Sequence, residues 1–352
     1  MVAQRARRRG RATILDVARA AGVTPSTVSK ALNAGQGSAD VRARVAAAAA
    51  RLDYRPDQRA RGLRRAESRS IGVLVPDLAN PVFLPFLRGV ESLAQERGYV
   101  VLIADGQRSG AVQREAVTRL FDQGVDGLVL GGPFEPDLFD RFLEHGVPVA
   151  PLVLDARGRR VRHWEAGEAG ATGEMADRLL ALGHRRFAFV GVPTPRGSST
   201  RAYRRSRLGV LRARVEAHGG QVAVARVDPI RGFADGRREL RAFLAESEPT
   251  AAICGSHVLV PWTLVALRDA RLRVPRDVSV VAYGDSDWAL AYGTELSVVT
   301  RDLAREGREL ASNLLDELAG EAPAAPVGVV SHYIERGSCA AVPTTRVGRF
   351  SS

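Results

Sequence analysis

The sequence predicts two folds in series: a small all-α helix-turn-helix head, then a two-lobed α/β body. Three observations predict this. The first is charge: the 352 residues carry a formal net charge of +12, from 51 Lys and Arg against 39 Asp and Glu. Residues 1–69 hold 16 of the basic and five of the acidic side chains, so the remaining 283 are close to neutral. The second is a set of short segments over 14–52 whose apolar residues recur at i, i+3, i+4, the spacing of amphipathic helices. The third begins at Ser70, where β-branched runs alternate with helical stretches. That is the pattern of a parallel sheet covered by helices on both faces.

These numbers also exclude function classes. A chain of this length holds two or three domains. Its concentrated positive field points to a polyanionic partner, nucleic acid or an anionic membrane. No apolar run reaches the roughly 18 residues that a membrane helix needs. The opening MVAQRARRRGRATILD has no apolar h-region, so a secretory signal is not expected. Its arginines imitate a transit peptide, but they lead straight into a capped helix. Cys254 and Cys339 are too few for a disulfide framework or a thiolate metal site, which predicts a reducing cytoplasm.

In the head, Thr13 can cap a first helix, and Asp16 suits its first turn. Ile14, Val17, Ala18 and Ala21 form one apolar stripe. Gly22 ends that helix, and Val23 can tuck beneath it. Thr24 then caps a second helix with Pro25 at its first position, where a missing N–H is no loss. Val28, Ala31 and Leu32 face inward, leaving Ser26, Thr27, Ser29, Lys30 and Asn33 outward or toward the N-terminal end. Ser38 can cap a third helix, roughly 39–52, whose Val41, Val45, Ala48 and Leu52 close the core. Two short helices, a three-residue turn with Gly and a donor-rich second helix make a helix-turn-helix.

TILDVARAAGVTPSTVSKALN, followed by VRARVAAAAARLDYRPDQRARGLRR, resembles the headpiece and hinge of the LacI (lactose-repressor) family of bacterial transcription regulators. The resemblance implies a second helix lying in the major groove with its N-terminal end toward base edges. It places Pro25 and Ser26 at the variable base-reading positions. Pro25 offers only apolar contact, while Ser26 can donate or accept. Lys30 stands where many members carry Arg. Thr24, Thr27, Ser29 and Asn33 would mainly grip phosphates, which position the helix without reading sequence. Asp57-Gln58-Arg59-Ala60-Arg61-Gly62-Leu63-Arg64-Arg65, after Pro56, resembles the family's hinge helix. Alone it is short, charged and broken by Gly62, so it would fold only against its dimer mate on DNA. There Ala60 allows close approach and Leu63 is the wedge levered into a minor-groove step. Arg59 departs from the small apolar residue usual in the family.

The body reads as strands at 71–75, 100–104, 125–130 and from 147, with helices at 82–97, 111–123 and 136–145. The pattern restarts with a helix at 168–182. Strands follow at 187–191, 222–227, 251–254 and 278–283, with helices at 202–218, 234–246 and 260–270. Two such sheets exceed one core, which predicts two lobes. Their spacing resembles the family's effector-binding core, a periplasmic-binding-protein-like pair of Rossmann-type lobes. The implied organisation is an arm over 1–12, the headpiece over 13–54 and a hinge or linker over 55–69. The core would then span 70–340, with a tail over 341–352. An N-lobe of about 70–163 and 297–326 would face a C-lobe of about 167–292 and 328–340. Crossings are expected near 163–167, 292–297 and 326–328. A ligand of such a fold sits between lobes at the carboxyl ends of strands.

The cleft departs from its relatives. Ser256-His257 stands where an Asp is expected, Ala282-Tyr283-Gly284-Asp285 replaces Gly-Phe-Asp-Asp, and Ala166-Gly167 replaces Asp-Asn. A site stripped of those acceptors suits a hydroxylated ligand poorly. Candidates for an effector that is not a typical sugar are Phe83, Arg196, Ser198, His257 and Trp288, with Arg207 further out. No nucleophile elbow, phosphate loop or metal-spaced His pair is visible, so no catalytic residue, metal or cofactor is expected. His163 and Glu165 are isolated. The expectation is a homodimeric cytoplasmic repressor on a near-palindromic operator. The alternatives are a regulator without small-molecule control and a solute-binding protein.

Overall fold

The computed structural model describes residues 12–34, 36–54, 67–132, 134, 136–150, 152–154, 160–162, 168–192, 206–228, 232–291, 293–321 and 330–342. The chain divides into two compact units, Met1–Ser68 and Arg69–Ser352. No described helix is long and apolar enough to cross a membrane.

The first unit contains α1 (Ile14–Ala21), α2 (Pro25–Ala34) and α3 (Ala39–Arg51). α1 opens with a reciprocal capping box. The Thr13 N–H donates to the Asp16 carboxylate at 2.9 Å, and the Asp16 N–H donates to Thr13 Oγ1 at 3.4 Å. These bonds from Thr13, first through its side chain and then its backbone, hold the Asp16 carboxyl below its ordinary range. Gly22 takes φ +64°, a left-handed cap that a side chain would strain, and the Val23 N–H then turns back to Ala18 O at 3.1 Å. Thr24 Oγ1 accepts from the Thr27 N–H at 3.2 Å, and Ser38 Oγ accepts from the Val41 N–H at 3.4 Å. Val17, Val28 and Val45, one from each helix, are wholly buried among four buried alanines. So small a core leaves the head dependent on its caps.

In the second unit, β1 (Ser70–Val75), β2 (Val100–Asp105), β3 (Gly127–Leu130) and β4 (Val149–Ala150) form a parallel sheet in the order β2-β1-β3-β4. Ile71, Val73 and Val75 face α4 (Phe83–Glu96). Leu74, Leu128 and Leu130 face the opposite core with α5 (Gly110–Asp122) and α6 (Asp140–Glu144). A short hairpin of β5 (Leu152–Leu154) and β6 (Arg160–Arg162) follows.

The second sheet contains β7 (Arg186–Gly191), β8 (Gln221–Arg226), β9 (Ala251–Cys254), β10 (Ser279–Tyr283), β11 (Ser297–Arg301) and β12 (Ser331–Ile334) in the order β12-β11-β10-β9-β7-β8. Only β12 runs antiparallel to its neighbour. Period-2 alternation splits the faces. Phe187, Phe189, Ile253 and Val281 pack toward α7 (Glu168–Ala181) and α8 (Arg207–Ala217). Ala188, Val190, Ala252 and Val280 pack toward α9 (Phe233–Ser247) and α10 (Val260–Asp269). The short α11 spans Asp287–Ala291.

One expectation is corrected here. The sequence places the chain's return to the N-lobe at about 297 and the end of this C-lobe stretch at about 292, but β11 hydrogen-bonds to β10 inside the C-lobe sheet. The switch comes at Asp302, whose carboxylate caps α12 (Leu303–Leu318) by accepting from the Arg305 N–H at 2.9 Å. α12 then packs on α4 in the N-lobe so closely that a Cβ on Gly307 would lie 2.2 Å from Phe86 O, and one on Gly89 would lie 2.0 Å from Ala304 O. The tail boundary also moves outward, since the Val342 N–H donates to Leu182 O at 3.0 Å.

Candidate functional site

Two surfaces carry the chemistry. On the first unit, Thr24, Pro25, Ser26 and Lys30 are exposed, and Thr27 and Ser29 are half-buried, while Val28 points into the core. Val28, with Ala31 and Leu32 packed beside it, anchors α2 by its apolar side and leaves its donors toward solvent. Thr24 spends its side-chain oxygen on the cap and on Thr27 Oγ1, 2.8 Å away. The N-terminal end of a helix is its positive end, which suits a phosphate. The side chain of Asn33 and the hinge positions Asp57, Arg59, Ala60 and Leu63 lie outside the described residues.

On the second unit, a cavity of about 420 Å³ opens at the carboxyl ends of the strands of both lobes. Pro76, Arg108 and Gly132 line it from the loops after β1, β2 and β3. Gly191, Gly255 and Gly284 line it from the ends of β7, β9 and β10. This is the crevice where the strand order reverses, the usual ligand position of open α/β sheets.

Its polar wall is a chain of partly buried ion pairs. Arg207, on α8, forks onto Glu168 with Nε and Nη2 each 2.6 Å from a carboxylate oxygen, while Nη1 donates to Gly255 O at 2.7 Å. The same guanidinium lies 4.3 Å over the Tyr283 ring, whose hydroxyl meets Thr172 Oγ1 at 2.6 Å. Arg301 stands 3.5 Å from Glu168 and 3.2 Å from Glu306 on α12, so it joins the two lobes at their crossing. Burial opposes ionisation of Glu168, but Arg207 and then Arg301 outweigh it and hold the carboxyl below its usual range. Glu306 behaves oppositely: burial outweighs Arg301 and pushes it up to about 7.

A second pairing crosses the cleft. Gln107 and Arg108 both take positive φ, +44° and +53°, uncommon for side-chain-bearing residues. This bend aims Arg108 at Asp77, 2.8 Å from Nε, and at Ser256 of the opposite lobe, 3.3 Å from Nη2. Beside it His257 is almost wholly buried, with Nε2 3.0 Å from Ser286 Oγ. Burial lowers its pKa against the opposing charge of Asp285, so the ring is neutral near pH 7.

Of the sequence candidates, Phe83, Arg207 and His257 line this cavity, and Arg207, read from sequence as the outlying one, sits at its centre. Arg196 and Ser198 lie outside the described residues, and Trp288 lies on α11 with its side chain outside them. Sequence reasoning missed Arg108, Glu168 and Arg301. Glu168 follows the Ala166-Gly167 departure directly and reads as an acid favourably placed in a helix's first turn. Only tertiary contact shows it meeting two arginines.

A helix-turn-helix unit and a two-lobed α/β unit with an interlobe cavity define the class of a ligand-responsive DNA-binding regulator. The model of bacterial regulatory proteins of the lacI family matches residues 13–57, and that of the periplasmic binding protein-like domain matches 176–339. The HTH-type transcriptional regulator PtxS of Pseudomonas aeruginosa is 32% identical over 339 residues, covering 94% of this chain and 96% of the relative. The HTH-type transcriptional repressor CytR of Escherichia coli is 29% identical, covering 94% and 97%. Among solved structures, the lac repressor dimer bound to operator and an anti-inducer aligns with a TM-score of 0.75 at 27% identity, covering 94% of this chain and 99% of that one. The chain therefore belongs to the lacI family: it is an HTH-type transcriptional regulator with a periplasmic-binding-protein-like domain.

Proposed function

We propose that this regulator is a cytoplasmic repressor that binds a near-palindromic operator as a homodimer, with no catalytic activity of its own. The observation that carries this is the two-sidedness of α2, which buries Val28 in the head and turns Thr24, Pro25, Ser26 and Lys30 outward. In that reading Pro25 and Ser26 touch base edges. Thr24, Thr27, Ser29 and Asn33 hold phosphates, and Lys30 adds charge near guanine. Residues 55–69 link head to core, and Leu63 is the minor-groove wedge beside Ala60, Asp57 and Arg59. Dimerisation is supported by the edge strand β2, which leaves Val100 63% and Ile103 50% exposed, with Leu84 on α4 also exposed. An open edge bearing apolar side chains favours a partner. The lac repressor in its dimeric operator complex supports the same assembly.

The interlobe cavity is the proposed effector site, with Phe83, Arg207 and His257 on its walls and Arg196, Ser198 and Trp288 as further contacts. Ligand binding there shifts the balance between lobe orientations that permit or prevent paired hinge helices. Electrophoretic mobility of promoter fragments at about 0.15 M salt tests the DNA-binding reading. A specific complex that survives excess random DNA is expected, whereas equal competition by random DNA refutes it.

A further inference from the structure

We infer that Arg108 is an interlobe strap, fixed to its own lobe by Asp77 and hydrogen-bonded to Ser256 of the other, which sets how readily the two lobes part. Its consequence for DNA rests on the reading that lobe orientation governs operator binding; the strap itself does not.

The N-lobe end of the strap is rigid. The Asp105 carboxylate, at the end of β2, accepts from the Gln107 N–H and the Leu78 N–H, each at 3.1 Å, and so ties the loop after β2 to the loop after β1. The Arg108 N–H donates to Pro76 O at 2.8 Å. Asp77 accepts from the Ala79 N–H at 2.9 Å through one oxygen and from Arg108 Nε through the other. Gln107 and Arg108 hold the left-handed backbone that this placement requires. A guanidinium anchored in this way presents a second donor at a fixed angle, and Nη2 donates it to Ser256 Oγ across the cleft. Asp77 and Ser256 are buried, so parting the lobes here leaves sheltered polar groups to be solvated afresh.

The lobes also touch at this rim. Gly284, which follows β10 at φ +92°, lies so near the N-lobe that a Cβ on it would stand 2.6 Å from Val82 Cγ2. Ser256 and Gly284 are both positions where the sequence departs from an expected acid. Any side chain at 284 would strike Val82, and a carboxylate at 256 would form a full ion pair with Arg108. Glycine and serine instead give close approach and one hydrogen bond to a neutral acceptor, which is weaker than a pairing of two charges. A tie of that strength biases the balance between lobe orientations without locking it.

Hydrogen exchange of the full chain, read by mass spectrometry in the parent, Ser256→Ala, Ser256→Asp and Arg108→Gln, tests the strap. Ser256→Ala should speed exchange over 76–80 and 105–109 of the opposite lobe about threefold to tenfold, the range of one lost hydrogen bond, and Ser256→Asp should slow it. Arg108→Gln should speed exchange over 255–259 and 282–285. The two Ser256 variants carry the test alone should Arg108→Gln fail to fold. Operator affinity is measured by fluorescence anisotropy on the site enriched from a random double-stranded library. It should move one way for Ser256→Ala and Arg108→Gln and the other way for Ser256→Asp, a reversal that loss of stability alone does not produce. Exchange unchanged on the opposite lobe, or changed only on the mutated one, overturns the strap. Exchange that responds across the cleft while every variant binds the operator within about twofold of the parent supports the strap and overturns the reading that lobe orientation governs operator binding.

Discussion

The head and the cleft treat charge in opposite ways. On the head, the donors of α2 and its one cation, Lys30, face solvent beside a core of three valines and four alanines. In the cleft, Arg207, Glu168 and Arg301 are half-buried and Glu306 is buried, and the four are linked one to the next. Exposed charges near a flexible polyanion lose little when one is removed, because solvent replaces it. Buried charges behave as a set, since taking out one leaves its neighbours desolvated and unmatched. The head is therefore tunable residue by residue, while the cleft is a unit that responds as a whole.

The strongest challenge to that contrast is Glu168→Gln. It leaves Arg207 and Arg301 facing a neutral amide; with about a third of the Arg207 side chain in solvent, the cost of an unmatched charge is reduced, and a loss of about 2 kcal/mol in core stability is expected from urea denaturation. A change below about 1 kcal/mol would mean that the wall is a set of independent contacts.

Glu306 sharpens the comparison through pH. Its folded pKa, about 7, lies above its ordinary 4.5. Between those values the folded chain keeps a proton that the unfolded chain releases, so this group's contribution to stability falls as pH rises from 4.5 toward 7 and is flat beyond. Glu168, with a lowered pKa, has the opposite sign: its contribution is present above the ordinary range and is lost in acid. Glu306→Gln should thus gain on the parent across that window by up to about 3 kcal/mol. A parent–variant difference that stays constant with pH would place the proton elsewhere.

The smallest effect belongs to the head. Thr13→Ala removes one side of the capping box and should lower the head's stability by about 1 kcal/mol, read by helical circular dichroism on heating, with no change in cleft titrations. An effect as large as that of Glu168→Gln would erase the distinction between the two regions.

The same contrast explains what could be read in advance. Thr13, Thr24 and Ser38 cap neighbours three residues away, so the head's helices and the outward set on α2 follow from local spacing. The body's alternation likewise announces both sheets. Local pattern does not say which sheet a strand joins: Ser297–Arg301 is apolar enough for either lobe, and its pairing with β10 depends on contacts made elsewhere. Arg301 inherits that ambiguity. Arg108 reaches the cleft through two left-handed residues that no composition signal marks, and its partner Ser256 lies 148 positions away.

The account turns on α2 as the reading element, and selection from a random double-stranded library tests it most directly, comparing the parent with a Pro25→Ala, Ser26→Arg variant. The parent should enrich a two-fold near-palindrome, and the variant a site altered at symmetric positions. Identical preferred sites for both proteins, or no enrichment by the parent, would contradict it.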